Sequence, residues 1–283
     1  MLRKILVPLE TSPATAAATE LAVQIAQEAR KLNGEYRVSL RGLGIVDVDQ
    51  IPKGRFASLV PTENILAEAH QTAEGLVAAF RKQVLAAGIP ESQVETYVTE
   101  GGPCQKIIHH HVFTDLVVMS SVCSFPPVLH DYETLVALMF EASRPLIMVP
   151  NTLRPVKTVV MLMDGTAPSS RMLYAYAHLN PFPGARLLVV HAENEERSYD
   201  LKDFFDRLQE YLASFDIRAE RHRLSGTLHE TLPDFLRAEK ADLVAAGLHR
   251  EQLLHRFATP LRLMRLRVED LMQEVGTSLF LVH

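Results

Sequence analysis

The tightest constraint on this chain is that it states one pattern twice. Ala241-Asp242-Leu243-Val244-Ala245-Ala246-Gly247-Leu248 follows the scheme of Thr114-Asp115-Leu116-Val117-Val118-Met119-Ser120-Ser121. In each copy an acidic residue opens a short apolar run that ends in small residues. Runs of that length without alternation suit strands covered on both faces, as in a parallel sheet, and small residues let the backbone turn sharply afterwards. An open α/β sheet places its ligand crevice at the carboxyl ends of such strands. Any site is therefore expected just after these runs, once in each half.

The rest of the pattern fits around the two runs. Lys4–Leu9 reads as a strand, and Glu10-Thr11-Ser12-Pro13 as a turn with a capping hydroxyl and a helix-starting proline. An Ala-rich helix to Leu32, a strand at Val38–Val48 and a helix at Ile65–Ala87, stopped by Gly88, come next. The segment Asp49–Asn64, with Pro52, Gly54 and Pro61, reads as a long loop. Val94–Val98 is a strand, Gly101-Gly102-Pro103 opens a helix to His111, and Asp115–Met119, Asp131–Ala142 and Leu146–Val149 follow as strand, helix and strand.

After the linker at 151–155 the sequence begins again. Strands are expected at Val156–Met163, Ala185–His191, Ile217–Leu224, Asp242–Gly247 and Leu279–Val282. Helices are expected at Ser169–Leu179, Leu201–Phe215, Leu228–Glu239 and Leu261–Glu274. Alternating strands and helices with right-handed crossovers give an α/β chain of two tandem doubly wound, parallel five-stranded sheets, one in residues 1–150 and one in 156–283.

Composition removes several function classes. The chain has 283 residues, 47% hydrophobic and 22% charged, as ordinary globular domains do. Residues 1–150 carry 12 basic and 16 acidic side chains and the remainder 17 and 18, so neither half has the charge of a nucleic-acid binder. Two cysteines, Cys104 and Cys123, make no disulfide framework. The basic opening Met1-Leu2-Arg3-Lys4 leads into an apolar run that stops at Glu10, too short for a signal-peptide core or a membrane span. The expectation is a soluble cytoplasmic protein that neither crosses a membrane nor binds nucleic acid.

Lys4-Ile5-Leu6-Val7-Pro8-Leu9-Glu10-Thr11-Ser12, Gly101-Gly102-Pro103, Asp115-Leu116-Val117-Val118-Met119 and Arg144-Pro145-Leu146-Ile147-Met148-Val149 together resemble a universal stress protein domain. Val159-Val160-Met161-Leu162-Met163-Asp164-Gly165-Thr166 and Ala241-Asp242-Leu243-Val244 resemble it a second time, so the resemblance covers nearly the whole chain as a tandem pair. It implies a Rossmann-like fold of the adenine nucleotide alpha hydrolase type. It also implies association through last strands, here Leu146–Val149 and Leu279–Val282, within the chain as a pseudo-dimer or between chains as a homodimer.

The family has members that bind ATP and members that do not, and the binding kind is marked by G-x2-G-x9-G-[ST] after the fourth strand. Glycines there let the backbone approach phosphates. The first half has Ser120-Ser121-Val122-Cys123-Ser124-Phe125-Pro126-Pro127, with no glycine and with prolines in place of two amide donors. Its degenerate site would comprise Glu10, Thr11, Ser12, Ser120 and Ser121. The second half keeps Gly247 and loses the later glycines. Its candidate residues for ATP with magnesium are Asp164, Gly165, Val190, Gly247, His249 and Arg250, with His255 and Arg256 as further charge. The alternative for the basic group is an exposed loop and helix face.

Other constellations have plain readings. His109-His110-His111 cannot converge on one ion, because consecutive helical residues point about 100° apart. His229-Glu230-Thr231-Leu232-Pro233 lacks the second histidine of a zinc-protease helix. Cys104 in the first turn of its helix and Cys123 in the altered loop are the two thiols to weigh for redox chemistry, against a packing role. Gly42-Leu43-Gly44 lacks the third glycine of a dinucleotide fingerprint, and Gly276-Thr277 lies too late to be the family's G-[ST] pair. The leading reading is a non-enzymatic stress-response module with a regulatory protein partner. An ATP sensor using the second half is the alternative, and slow ATP hydrolysis the third.

Overall fold

The computed structural model describes residues 2–32, 37–51, 62–127, 132–192, 201–226, 228–248 and 275–283. The helix expected over Leu261–Glu274, the group His249, Arg250, His255 and Arg256, and most of the Asp49–Asn64 loop lie outside them. The chain divides into two compact units, Leu2–Leu153 and Arg154–His283.

The first unit runs β1 (Lys4–Leu9), α1 (Ala14–Leu32), β2 (Ser39–Val46), α2 (Thr62–Ala86), β3 (Val94–Glu100), α3 (Pro103–His111), β4 (Leu116–Ser120), α4 (Tyr132–Glu141) and β5 (Leu146–Val149). Its strands are parallel in the order β3-β2-β1-β4-β5. The order reverses between β1 and β4, the switch point at which such sheets hold ligands. The central strands are apolar throughout because helices cover both faces; Ile5, Leu6, Val7, Leu116 and Val118 have no exposed surface. Gly42 and Gly44 lie within β2, and a Cβ on Gly42 would come 2.5 Å from the Phe80 ring of α2. These glycines seat α2 on the sheet.

The second unit runs β6 (Thr158–Leu162), α5 (Ala167–Leu179), β7 (Arg186–Ala192), α6 (Leu201–Ala213), β8 (Ala219–Leu224), α7 (Leu228–Ala238), β9 (Leu243–Gly247) and β10 (Ser278–Val282). Its five strands are also parallel, in the order β10-β9-β6-β7-β8. That is the order of the first unit read from the other edge.

The repeated acid has a structural task in both units. Asp115 Oδ2 accepts the backbone N–H groups of Arg3 at 2.7 Å and Lys4 at 2.9 Å, while its own N–H donates to the Lys4 carbonyl at 2.9 Å. Asp242 Oδ2 likewise accepts from Lys157 at 2.9 Å and Thr158 at 3.0 Å, and its N–H donates to the Thr158 carbonyl at 3.0 Å. Each acid clasps the start of the fourth strand of its unit to the start of the first.

Several boundaries differ from expectation for tertiary reasons. β3 continues to Glu100 because its last residues pair with β2, Val46 opposite Glu100. β2 stops at Val46 because Val48–Gln50 winds into a short 3-10 turn, with the Asp47 carboxylate accepting the Asp49 N–H at 3.2 Å. Ser12 does not cap α1 with its hydroxyl: its carbonyl accepts the Thr15 N–H at 3.1 Å, and its hydroxyl turns to Ser120. Among the described residues no helix is long and apolar enough to cross a membrane.

Candidate functional site

Glu10 follows β1 at the switch point of the first unit, and the segment after β4 folds back over it. Residues Cys123 to Pro126 are all buried, with Cys123 and Phe125 fully so. The segment is tied to the ends of three strands. The Thr11 N–H donates to the Ser124 carbonyl at 2.9 Å, the Asp47 N–H to the Pro126 carbonyl at 2.8 Å, and the Ser121 N–H to the Val149 carbonyl at 3.2 Å. The Thr11 and Ser124 hydroxyls lie 2.6 Å apart. Cys123 makes the necessary reversal with φ +51°, a left-handed conformation in which a side chain costs about 1 kcal/mol or more. The ends of β1, β2 and β5 are thus covered by the chain itself.

Glu10 has no exposed surface. Its Oε2 accepts the Ser120 hydroxyl at 2.7 Å and the Ser124 N–H at 3.0 Å, while Oε1 has no hydrogen-bond partner. Burial raises the carboxyl pKa from 4.5 to about 7, opposed by the hydrogen bonds from Ser120, Ser124 and Cys123. Ser12 joins the cluster by donating its hydroxyl to Ser120 at 3.2 Å, and the Ser120 oxygen also accepts the Val122 N–H at 3.1 Å. Of the five first-half candidates, Glu10, Ser12 and Ser120 are joined by hydrogen bonds and Thr11 reaches Ser124, whereas Ser121 bonds through its backbone to Val149. Phe125 and Ser124 were not foreseen; the sequence signal was an apolar Phe125-Pro126-Pro127 run where a binding loop would carry glycine.

In the second unit the stretch that follows β9, residues 249–274, lies outside the described residues. Asp164 takes the place of Glu10 and is half-buried, and its Oδ1 accepts the N–H of Thr166 at 2.9 Å and its hydroxyl at 2.6 Å. This local turn, with Gly165 at φ +75°, feeds α5. Gly247 takes the place of Ser120. A Cβ there would lie 2.3 Å from the carbonyl carbon of Pro168 and 2.5 Å from the Ser169 nitrogen, so the first turn of α5 requires glycine whether or not a phosphate approaches. Val190 is buried inside β7, and its carbonyl accepts the Met163 N–H at 2.9 Å. The next residue, His191, is buried with its ring 4.7 Å from that of Phe205. His249 and Arg250 lie outside the described residues.

The remaining candidates have structural roles. His109 is exposed and His110 half-buried, but His111 is buried. Its Nδ1 lies 2.6 Å from the Ile108 carbonyl and its Nε2 accepts the Ser143 N–H at 2.9 Å, which pins α3 to the turn after α4 and puts the ring proton on Nδ1. Among the described residues no group of His, Cys, Asp and Glu is arranged to hold a metal. Cys104 shares an open cleft of about 260 Å³ with Asp47, Asp49, Gly102 and Gln105. Thr277 donates its hydroxyl to the Ala241 carbonyl at 3.0 Å, fixing the start of β10.

No protein-family model and no curated protein matches this chain. Solved structures do. A universal stress protein from Archaeoglobus fulgidus superposes with a TM-score of 0.66 at 16% identity, covering 99% of this chain and 95% of that one. A functionally unknown protein from Pseudomonas aeruginosa superposes with a TM-score of 0.52 at 16% identity, covering 99% and 92%. With the strand order, the switch point and both strand clasps already in place, this likeness shows that the chain shares the fold of these universal stress protein structures.

Proposed function

We propose that this chain is a universal stress protein of the kind that works by binding a regulatory partner, without turnover of its own, in a cytoplasmic setting. The observation that supports this most is the covered switch point of the first unit, where the buried stretch Cys123–Pro126 is bonded across the strand ends. Nucleotide content of the freshly purified protein, followed by titration with ATP and magnesium at mildly acidic pH, tests it. The expected result is no bound nucleotide and no saturable binding in the first unit.

A second reading is a nucleotide sensor built on the second unit. It is favoured by the half-buried Asp164 at the end of β6, in a turn that opens α5. Saturable ATP binding that is lost in Asp164→Ala supports it. Gly247 is a poor probe of this reading, because added bulk there strikes α5 directly. Metal-dependent release of phosphate, measured on the same sample, would move the protein to the third reading, a slow ATPase.

A further inference from the structure

The first-unit crevice holds a feature that the binding-module reading leaves unused: a buried carboxyl with one satisfied oxygen and one unsatisfied. Oε2 of Glu10 receives a hydroxyl from Ser120 at the end of β4 and a backbone N–H from Ser124 on the chain that covers it, while Oε1 makes no hydrogen bond among the described residues. A buried carboxylate left with an unpartnered oxygen is expensive, whereas its neutral form carries a much smaller penalty. The covering segment is also tied by Thr11 to Ser124, by Asp47 to Pro126 and by Ser121 to Val149.

We propose that Glu10 is a proton-operated latch on the first-unit crevice. Neutral Glu10 lets the stretch after β4 lie closed over the strand ends; ionised Glu10 releases it and uncovers Cys123 and the switch point beneath. The inference rests on the reading of this crevice as closed by its own chain.

The surroundings assign the response to this one group. From β4 it meets the Ser120 hydroxyl, and from the covering segment the backbone at Cys123 and Ser124. From the start of α1, Thr15 binds only its backbone, exchanging hydrogen bonds with the Glu10 N–H at 3.0 Å and carbonyl at 2.8 Å. The Cys123 thiol is the titratable side chain nearest in sequence within that cover, and among the described residues no charged side chain is a cause of the raised Glu10 pKa of about 7.

Cys123 reports the state of the latch. A Cys104→Ser chain keeps it as the sole thiol, buried in the closed arrangement. Its alkylation rate by iodoacetamide is measured from about pH 5 to about pH 9, each value divided by that of the same chain in denaturant, which removes the thiol's own ionisation. The ratio is expected to rise through pH 7. The ceiling on the rise is set by the span from 4.5 to about 7 and is about 300-fold.

Glu10→Gln is expected to flatten the profile. Ser120→Ala removes a hydroxyl that favours the charged form and is expected to move the midpoint to higher pH, a shift that general loosening would not produce. A parent ratio that stays constant across the range overturns the proposal, as does a rise that persists unchanged in Glu10→Gln. If Glu10→Gln fails to fold, the parent profile and the Ser120→Ala midpoint decide. Nucleotide titration is read separately, so failure of the latch leaves the binding-module reading standing or falling on its own test.

Discussion

Gly247→Ala separates packing from ligand binding at a residue to which both have a claim. The added Cβ would sit 2.3 Å from the Pro168 carbonyl carbon, 2.5 Å from its oxygen and 2.5 Å from the Ser169 nitrogen. Unbonded carbons settle at about 3.5–4.0 Å, so the shortfall exceeds about 1 Å and falls on backbone that cannot rotate aside. Relief requires α5 to lift, which loosens Met172, Tyr176 and Ala177 on its buried face. Overpacking of this kind costs up to about 3 kcal/mol, offset by roughly 1 kcal/mol because alanine has less backbone freedom to lose than glycine. The net loss should be about 2 kcal/mol, lowering the melting temperature by about 8 °C for a unit of this size. The chain has no tryptophan, so far-UV circular dichroism in urea is the assay. A variant that loses less than about 0.5 kcal/mol, measured without nucleotide, would refute the packing argument and return Gly247 to the phosphate.

Three further outcomes are expected. Gly75→Ala, in the middle of α2 where a Cβ meets nothing within 4 Å, should raise stability by about 1 kcal/mol in the same assay. Asp115→Ala and Asp242→Ala should each cost about 1–2 kcal/mol, since each strands two backbone N–H groups that now meet a carboxylate; a loss at one site only would contradict the equivalence of the two clasps. Glu10 has a folded pKa of about 7 against an ordinary 4.5, so the folded chain holds the extra proton between those values and loses stability as pH rises through them. Urea unfolding of parent and Glu10→Gln should diverge across that window by roughly 3 kcal/mol in total, the parent being favoured at the acid end.

The fold was legible because its determinants are local. Strands such as Val159–Met161 or Leu146–Val149 are buried on both faces and read as unbroken apolar runs, and Gly88 and Pro90 punctuate the end of α2 in the sequence itself. The surroundings of the candidate residues were less legible. Glu10 and Asp164 stand at equivalent positions, yet Glu10 is fully buried and Asp164 half-buried, and the Ser124 N–H that Glu10 accepts comes from more than a hundred residues further on. His111 was hidden for a similar reason: nothing in three consecutive histidines says that the third will accept a hydrogen bond from Ser143. Gly247 stands out in the sequence as a glycine at the end of its strand, but its neighbour across the chain, Pro168, is visible only in three dimensions.

The two aspartate clasps sit at the amino ends of their strands, away from the ends that bear Glu10, Asp164 and Gly247. Each unit thus has a foot and a head that answer to different demands. The feet are built alike, acid for acid and amide for amide, while the heads differ, with a fully buried glutamate in one and a half-buried aspartate in the other. Loops at the head can therefore be exchanged, lengthened or plugged without disturbing the join that sets strand register. One scaffold, copied once, can carry two unlike tasks in a single chain.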